Sequence, residues 1–171
     1  MRWLAVDPSL RNTGWAIMDH GTVWEVGLIC TERDKSLPVY LDNQRCLELI
    51  CCGMRDAHQA CGLGADLVYA EAKGGSKSAK AAAAMAMAQG VLIGSLASRA
   101  DIHLMLPQKV KQIVCGNRSA SKDDIRAAVD KLYPNAFEMM VDAGYKAKKY
   151  NEHIYDAIAI GWAINKERKG L

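Results

Sequence analysis

Trp3-Leu4-Ala5-Val6-Asp7-Pro8, then Ser9-Leu10-Arg11-Asn12-Thr13, then Gly14-Trp15-Ala16-Ile17-Met18 is the stretch whose reading decides the fold. Four apolar residues run straight into an acid, and Pro8, which has no backbone donor to give a ladder, stops the strand there. A short link follows, and the apolar pattern restarts over residues 14–18. Asp19-His20-Gly21 reads as a turn, and residues 22–30 are rich in β-branched and aromatic side chains, so a third strand is expected. Three successive strands on short connections predict an antiparallel meander that leaves Asp7 at the end of its first strand.

Downstream the period changes. Residues 38–60 place Leu41, Cys46, Leu47, Leu49 and Ile50 at helical intervals, and Gly62 and Gly64 close that helix. Residues 67–70 form a fourth strand, again running into an acid, Glu71. Residues 73–77 read as a basic loop, 78–100 as a long alanine-rich helix and 102–106 as a fifth strand. Residues 107–115 and 121–133 are expected to be helical, the second capped by Ser121 with Asp124 at the positive end of the dipole. Residues 135–150 are expected to form a loop. Asn151 is expected to cap a last helix over 152–166 that buries Ala157, Ile160, Ala163 and Ile164. The order predicts a single α/β domain over residues 1–171, with a five-stranded mixed sheet flanked by helices.

Bulk properties narrow the class. Half the residues are hydrophobic and 24% are charged, an ordinary globular balance. The net charge of +3 is too small to argue for nucleic acid, but it is unevenly placed. Residues 107–150 hold nine cations against five anions, a surplus of four that exceeds the whole-chain value and concentrates the positive field there. The six cysteines show no CxxC spacing and follow no secretory signal, so reduced thiols in a cytoplasmic protein are expected. The most apolar segment, residues 79–97, is interrupted by Lys80, Gln89 and Ser95, so a membrane span is not expected.

Three acids stand where a fold of this kind gathers them. Asp7 and Glu71 end strands, Asp156 lies early in the last helix, and His153 precedes Asp156 by three residues on nearly the same helix face. Sites in such sheets collect beyond the carboxyl ends of the strands. Clustered carboxylates repel unless a cation compensates, and hard oxygen donors favour magnesium or manganese. Two such ions about 4 Å apart can activate a water and stabilise the leaving oxygen of a phosphodiester, so metal-dependent phosphodiester hydrolysis is the expected chemistry. Each acid taken alone has an ordinary reading as a turn former, a solvated strand end or a helix-dipole partner.

Order and context add a family. Residues 5–16, with a hydrophobic strand, Asp-Pro, a basic residue and Thr13-Gly14, resemble the opening motif of the RuvC family of Holliday-junction resolvases. Gln89-Gly90-Val91, residues 108–112 and residues 116–122 resemble its central and DNA-contacting region, and residues 153–160 its C-terminal metal-binding helix. The likeness runs from about residue 2 to residue 165. It implies an RNase H-like fold, a homodimer, and paired nicking of four-way DNA junctions. It also implies Asp7, Glu71, His153 and Asp156 as ligands for two Mg²⁺ per active site. Histidine at the fourth position removes one negative charge and favours Mn²⁺ as a substitute. Lys111 and Lys122 match phosphate-contacting positions, and Lys122 is a candidate for stabilising transition-state charge. Further DNA contact is expected from Arg11, Lys73, Lys77, Lys80 and Arg118. The partners implied are branched DNA, four-way junctions above all, a second copy of the chain, and candidate branch-migration machinery. Some relatives carry an aromatic wedge just after the Glu71 position, where this chain has Ala72-Lys73-Gly74-Gly75-Ser76-Lys77. The small residues Ala81, Ala84, Ala88, Gly90 and Gly94 suit close approach of a partner helix.

Competing readings are a broader fork or flap nuclease of the same fold, a non-catalytic junction-binding protein, and an actin-like ATPase or sugar kinase. The last needs two such domains around a nucleotide cleft, and this chain has length for one.

Overall fold

The structure, a computed structural model, describes residues 1–62, 66–72, 78–168 and 170, without the side chains of residues 148 and 149. The basic loop read at 73–77, and with it Lys73 and Lys77, lies outside the described residues.

The expected meander is present. β1 (Arg2–Asp7) pairs antiparallel with β2 (Asn12–Asp19), which pairs antiparallel with β3 (Thr22–Cys30). His20 and Gly21, with φ of 52° and 90°, occupy the two central positions of the β2–β3 hairpin, whose left-handed turn matches the twist of its strands. On the other side of β1 lie β4 (Leu67–Glu71) and β5 (Asp101–Met105), both parallel, giving the order β3-β2-β1-β4-β5.

The unbroken apolar character of β1 follows from burial on both faces. Leu4 and Val6 join Ile17, Val68 and Ala70 in a core against α1 (Val39–Ala60) and α2 (Ala79–Leu96). Trp3 and Ala5 turn the other way, joining Met18 and Tyr69 in a core against α6 (Lys148–Arg168). That second face is completed by α3 (Pro107–Cys115), α4 (Lys122–Leu132) and α5 (Ala136–Asp142). Ile154, Ile158 and Ile160 of α6 are fully buried. Each contributes about 1.5–3 kcal/mol by burial, which anchors this helix over the strands that carry the acids.

Two expectations are corrected. Residues 135–150 are not a loop, because α5 occupies part of them. It is short, and it is held by Ala136 and Met140 buried one turn apart beneath the sheet, a tertiary contact with little local signature. The last helix begins at Lys148, so Asn151 lies inside its first turn and does not cap it; the backbone amides of Tyr150 and Asn151 both bond back to Ala147. The Ser121 cap is as expected. Its hydroxyl accepts from the Asp124 amide, and the Asp124 carboxylate accepts from the Ser121 amide.

All six cysteines are free thiols, and Cys46 and Cys61 are in the core. Burial pushes the Cys61 thiol up to about 12. Among the described residues α2 has length and apolarity enough to cross a membrane. Here it packs on α1 and the sheet through Ala88, Leu92 and Leu96.

Candidate active site

Strand alternation brings the first two acids together. Trp3 and Ala5 face α6, and so does Asp7 two residues on; Tyr69 faces α6, and so does Glu71. Val6 is in register with Ala70 on the neighbouring parallel strand, so Asp7 and Glu71 leave the sheet side by side. Asp7 is only 2% exposed. The link after it is pinned by Thr13, whose buried hydroxyl donates to the Ser9 carbonyl at 2.6 Å and accepts from the Ser9 amide at 3.1 Å.

Helix α6 carries the other two candidate residues. His153 Nδ1 lies 2.7 Å from Asp7 Oδ2, and Asp156 follows one turn later. This approach depends on Gly14, the β2 partner of Asp7. A Cβ on Gly14 would lie 2.1 Å from the His153 carbonyl oxygen and 2.8 Å from the Ile154 nitrogen. The helix backbone lands where a side chain would have been.

Lys122, the first residue of α4 after the Ser121 cap, projects toward α6. Its Nζ contacts the Glu152 carboxylate and lies 3.8 Å from Asp156 Oδ2. Deeper between these helices the Tyr155 hydroxyl donates to Asp130 at 2.6 Å, and burial, then that carboxylate, pushes the phenol up to about 12. This bond fixes the α4–α6 spacing on which the Lys122 position depends. Glu152 was not singled out in the sequence, where nothing marks it apart from its place beside His153.

Asp7, Glu71, His153, Asp156, Lys111 and Lys122 line one cavity of about 320 Å³. The other expected DNA contacts lie elsewhere. Arg118 is exposed on the α3–α4 turn, and Lys80 lines an adjoining groove. Arg11 is committed within the chain, donating to Asp42 at 2.6 Å, to Cys46 Sγ at 2.9 Å and to the Thr31 carbonyl at 3.3 Å. Asp42 is 1% exposed, and the Arg11 and Arg45 guanidiniums hold its carboxyl well below the usual carboxylate range. Arg11 thus neutralises a buried acid and ties the link after β1 to α1.

The donor chemistry of the cavity, three carboxylates and an imidazole, fits a hard divalent cation. As the side chains stand, no three His, Cys, Asp or Glu groups among the described residues enclose a common centre. They line the wall of the cavity, with His153 turned onto Asp7 and Lys122 lying against Glu152 and Asp156.

A mixed five-stranded sheet with two strand-end acids facing a C-terminal helix defines an RNase H-like hydrolase fold with an acidic pocket. Within that class the chain belongs to the RuvC family: the family model for the crossover junction endodeoxyribonuclease RuvC matches residues 3–163. A crossover junction endodeoxyribonuclease RuvC from Hyphomonas neptunium is 31% identical over 153 residues, covering 84% of either chain. Among solved structures, Thermus thermophilus RuvC in complex with a Holliday junction substrate superposes with a TM-score of 0.74 at 16% identity, covering 99% of this chain and 96% of that one. A further structure of Thermus thermophilus RuvC gives a TM-score of 0.72 at 16% identity, with coverages of 99% and 97%.

Proposed function

We propose that this chain resolves four-way DNA junctions as a homodimer, each copy cutting one strand by divalent-metal-dependent phosphodiester hydrolysis. The observation that carries the reading is the convergence of Asp7, Glu71, His153 and Asp156 on one cavity that also holds Lys111 and Lys122, in a chain of this family. Asp7, Glu71, Asp156 and His153 would hold two Mg²⁺, with Mn²⁺ as a substitute. Bound ions supply the charge that activates a water and stabilises the leaving oxygen. Lys111, half-buried at the cavity wall, anchors a strand phosphate. Lys122 presents a cation beside Asp156, where negative charge develops on the phosphate during attack. Phosphate contacts position the strand without reading its bases, so binding follows junction shape and falls steeply with salt.

The exposed face of α2 suits the second copy. Ala79, Ala83, Ala86, Gly90 and Ile93 lie exposed at alternating intervals of four and three, a seam of small residues ending in one exposed isoleucine that lets a second helix approach closely. A cytoplasmic location and assistance by a branch-migration motor belong to the same reading.

Purified protein with Mg²⁺ is expected to cut a synthetic four-way junction far faster than a Y-fork or linear duplex, to do nothing in EDTA, and to sediment as a dimer of the 18.7 kDa chain. Equal rates on fork and junction would replace this reading with a broader branched-DNA nuclease. Lys122→Ala is expected to lower the cleavage rate about a hundredfold or more, the scale of removing one transition-state donor, with a smaller effect on junction affinity. Equal losses in rate and affinity would reduce Lys122 to a phosphate anchor.

A further inference from the structure

Behind the catalytic cavity a second, smaller hollow of about 140 Å³ lies between the first turns of α4 and α6. Lys122 and Asp156 line both spaces, so the lysine stands on the wall that divides them. Glu152 lines the rear hollow and is outside the lining of the cavity that gathers the acids. The Ser121 cap fixes the Lys122 backbone, but the lysine stem is flexible and its side chain is 59% exposed. At the first position of α4 the helix dipole works against a cation, so the helix itself does not hold the ammonium close. The Glu152 carboxylate does, with Asp156 Oδ2 at 3.8 Å on the other side. Glu152 and Asp156 are one turn apart on α6, so the two carboxylates flank the ammonium, one from behind and one from the cavity side. Arg126, the other cation at the hollow, is turned to Asp130, its Nε 3.8 Å from Oδ2. When Asp156 ligates a cation, the charge left to the lysine is that of Glu152.

We propose that Glu152 is a positioning residue for junction cleavage, holding the Lys122 ammonium at the cavity wall beside Asp156 without itself touching metal or DNA. The inference rests on the junction-resolvase reading and adds to it a residue that acts only through Lys122. An ion pair this exposed adds little to stability, so its use is in aim rather than in holding the fold. A lysine ordered before the phosphate arrives has less side-chain freedom left to lose as the reaction proceeds.

The test is a double-mutant cycle on the full chain, reading single-turnover cleavage of a four-way junction with Mg²⁺ and junction anisotropy with Ca²⁺. Glu152→Gln keeps the size of the side chain and removes its charge. It should slow cleavage about tenfold, the low end of the about 10–100-fold cost of losing a group that orients a metal ligand. Melting temperature and Mn²⁺ affinity should stay at wild-type values, and junction affinity should not weaken. In the Lys122→Ala background the same substitution should have no further effect on rate. A second readout needs neither metal nor DNA. Brief acetylation of the metal-free protein, read by mass spectrometry, should modify Lys122 several-fold faster in Glu152→Gln than in wild type, with the exposed Lys131 as the internal standard. A wild-type rate in Glu152→Gln, unchanged acetylation of Lys122, or an equal loss of rate in the Lys122→Ala background would overturn the positioning role. Weaker Mn²⁺ binding in Glu152→Gln would overturn it too, by making Glu152 a part of the metal site. Each of these removes the Glu152 inference alone, whereas a wild-type protein that cuts no junction removes the functional reading and this inference together.

Discussion

Asp7→Asn and Glu71→Gln are each expected to abolish metal-dependent junction cleavage while leaving junction binding intact. Both substitutions keep the shape of the side chain and remove its charge. Asp7 sits 2% exposed at the end of β1, so its position is set by the buried strand and the amide has no freedom to find another role. Loss of groups that merely orient a metal ligand costs about 10–100-fold, so loss of a ligand itself should exceed about a hundredfold. Removing an anion from a cavity that receives a phosphate does not weaken DNA binding. Gel assays of cleavage beside anisotropy measurements of binding give both values. More than a few per cent of wild-type rate in either variant would count against the mechanism.

Gly14→Ala is expected to be nearly as damaging, although the residue has no functional group. The added Cβ would meet the carbonyl of His153 and the amide of Ile154, and backbone atoms cannot yield by changing rotamer. Either β2 or α6 must move, and the contact falls at the residue whose side chain reaches Asp7. Misplacement by about 1 Å in a catalytic constellation can cost about a hundredfold in rate. The overpacking should cost about 1–3 kcal/mol in stability. The variant is therefore expected to remain folded, bind junctions and cut them slowly. A wild-type rate in Gly14→Ala, measured with its melting temperature, would show that α6 is not seated as described.

Much of this architecture was legible in the sequence because it rests on short-range patterns. The apolar run Trp3 to Val6 ending in Asp7, and its echo before Glu71, announce two strand ends, and alternation then puts both acids on the face covered by α6. The i, i+3 spacing of His153 and Asp156 placed them on one helix face without help from tertiary structure. What stayed hidden depends on distant partners. The bond from the Arg11 guanidinium to Asp42, thirty-one positions away and buried by α1 packing, has no local signature. The α5 segment looked like loop because its order comes from Ala136 and Met140 beneath the sheet. The Glu152 contact to Lys122 joins two helices far apart in the chain.

Anomalous diffraction from crystals soaked in Mn²⁺ tests the central claim most directly. Two peaks about 4 Å apart are expected within the cavity, ligated by Asp7, Glu71, Asp156 and His153, and absent from Asp7→Asn crystals soaked alike. Manganese bound elsewhere, or ligated in the cavity without Asp7 and Glu71, would contradict the account.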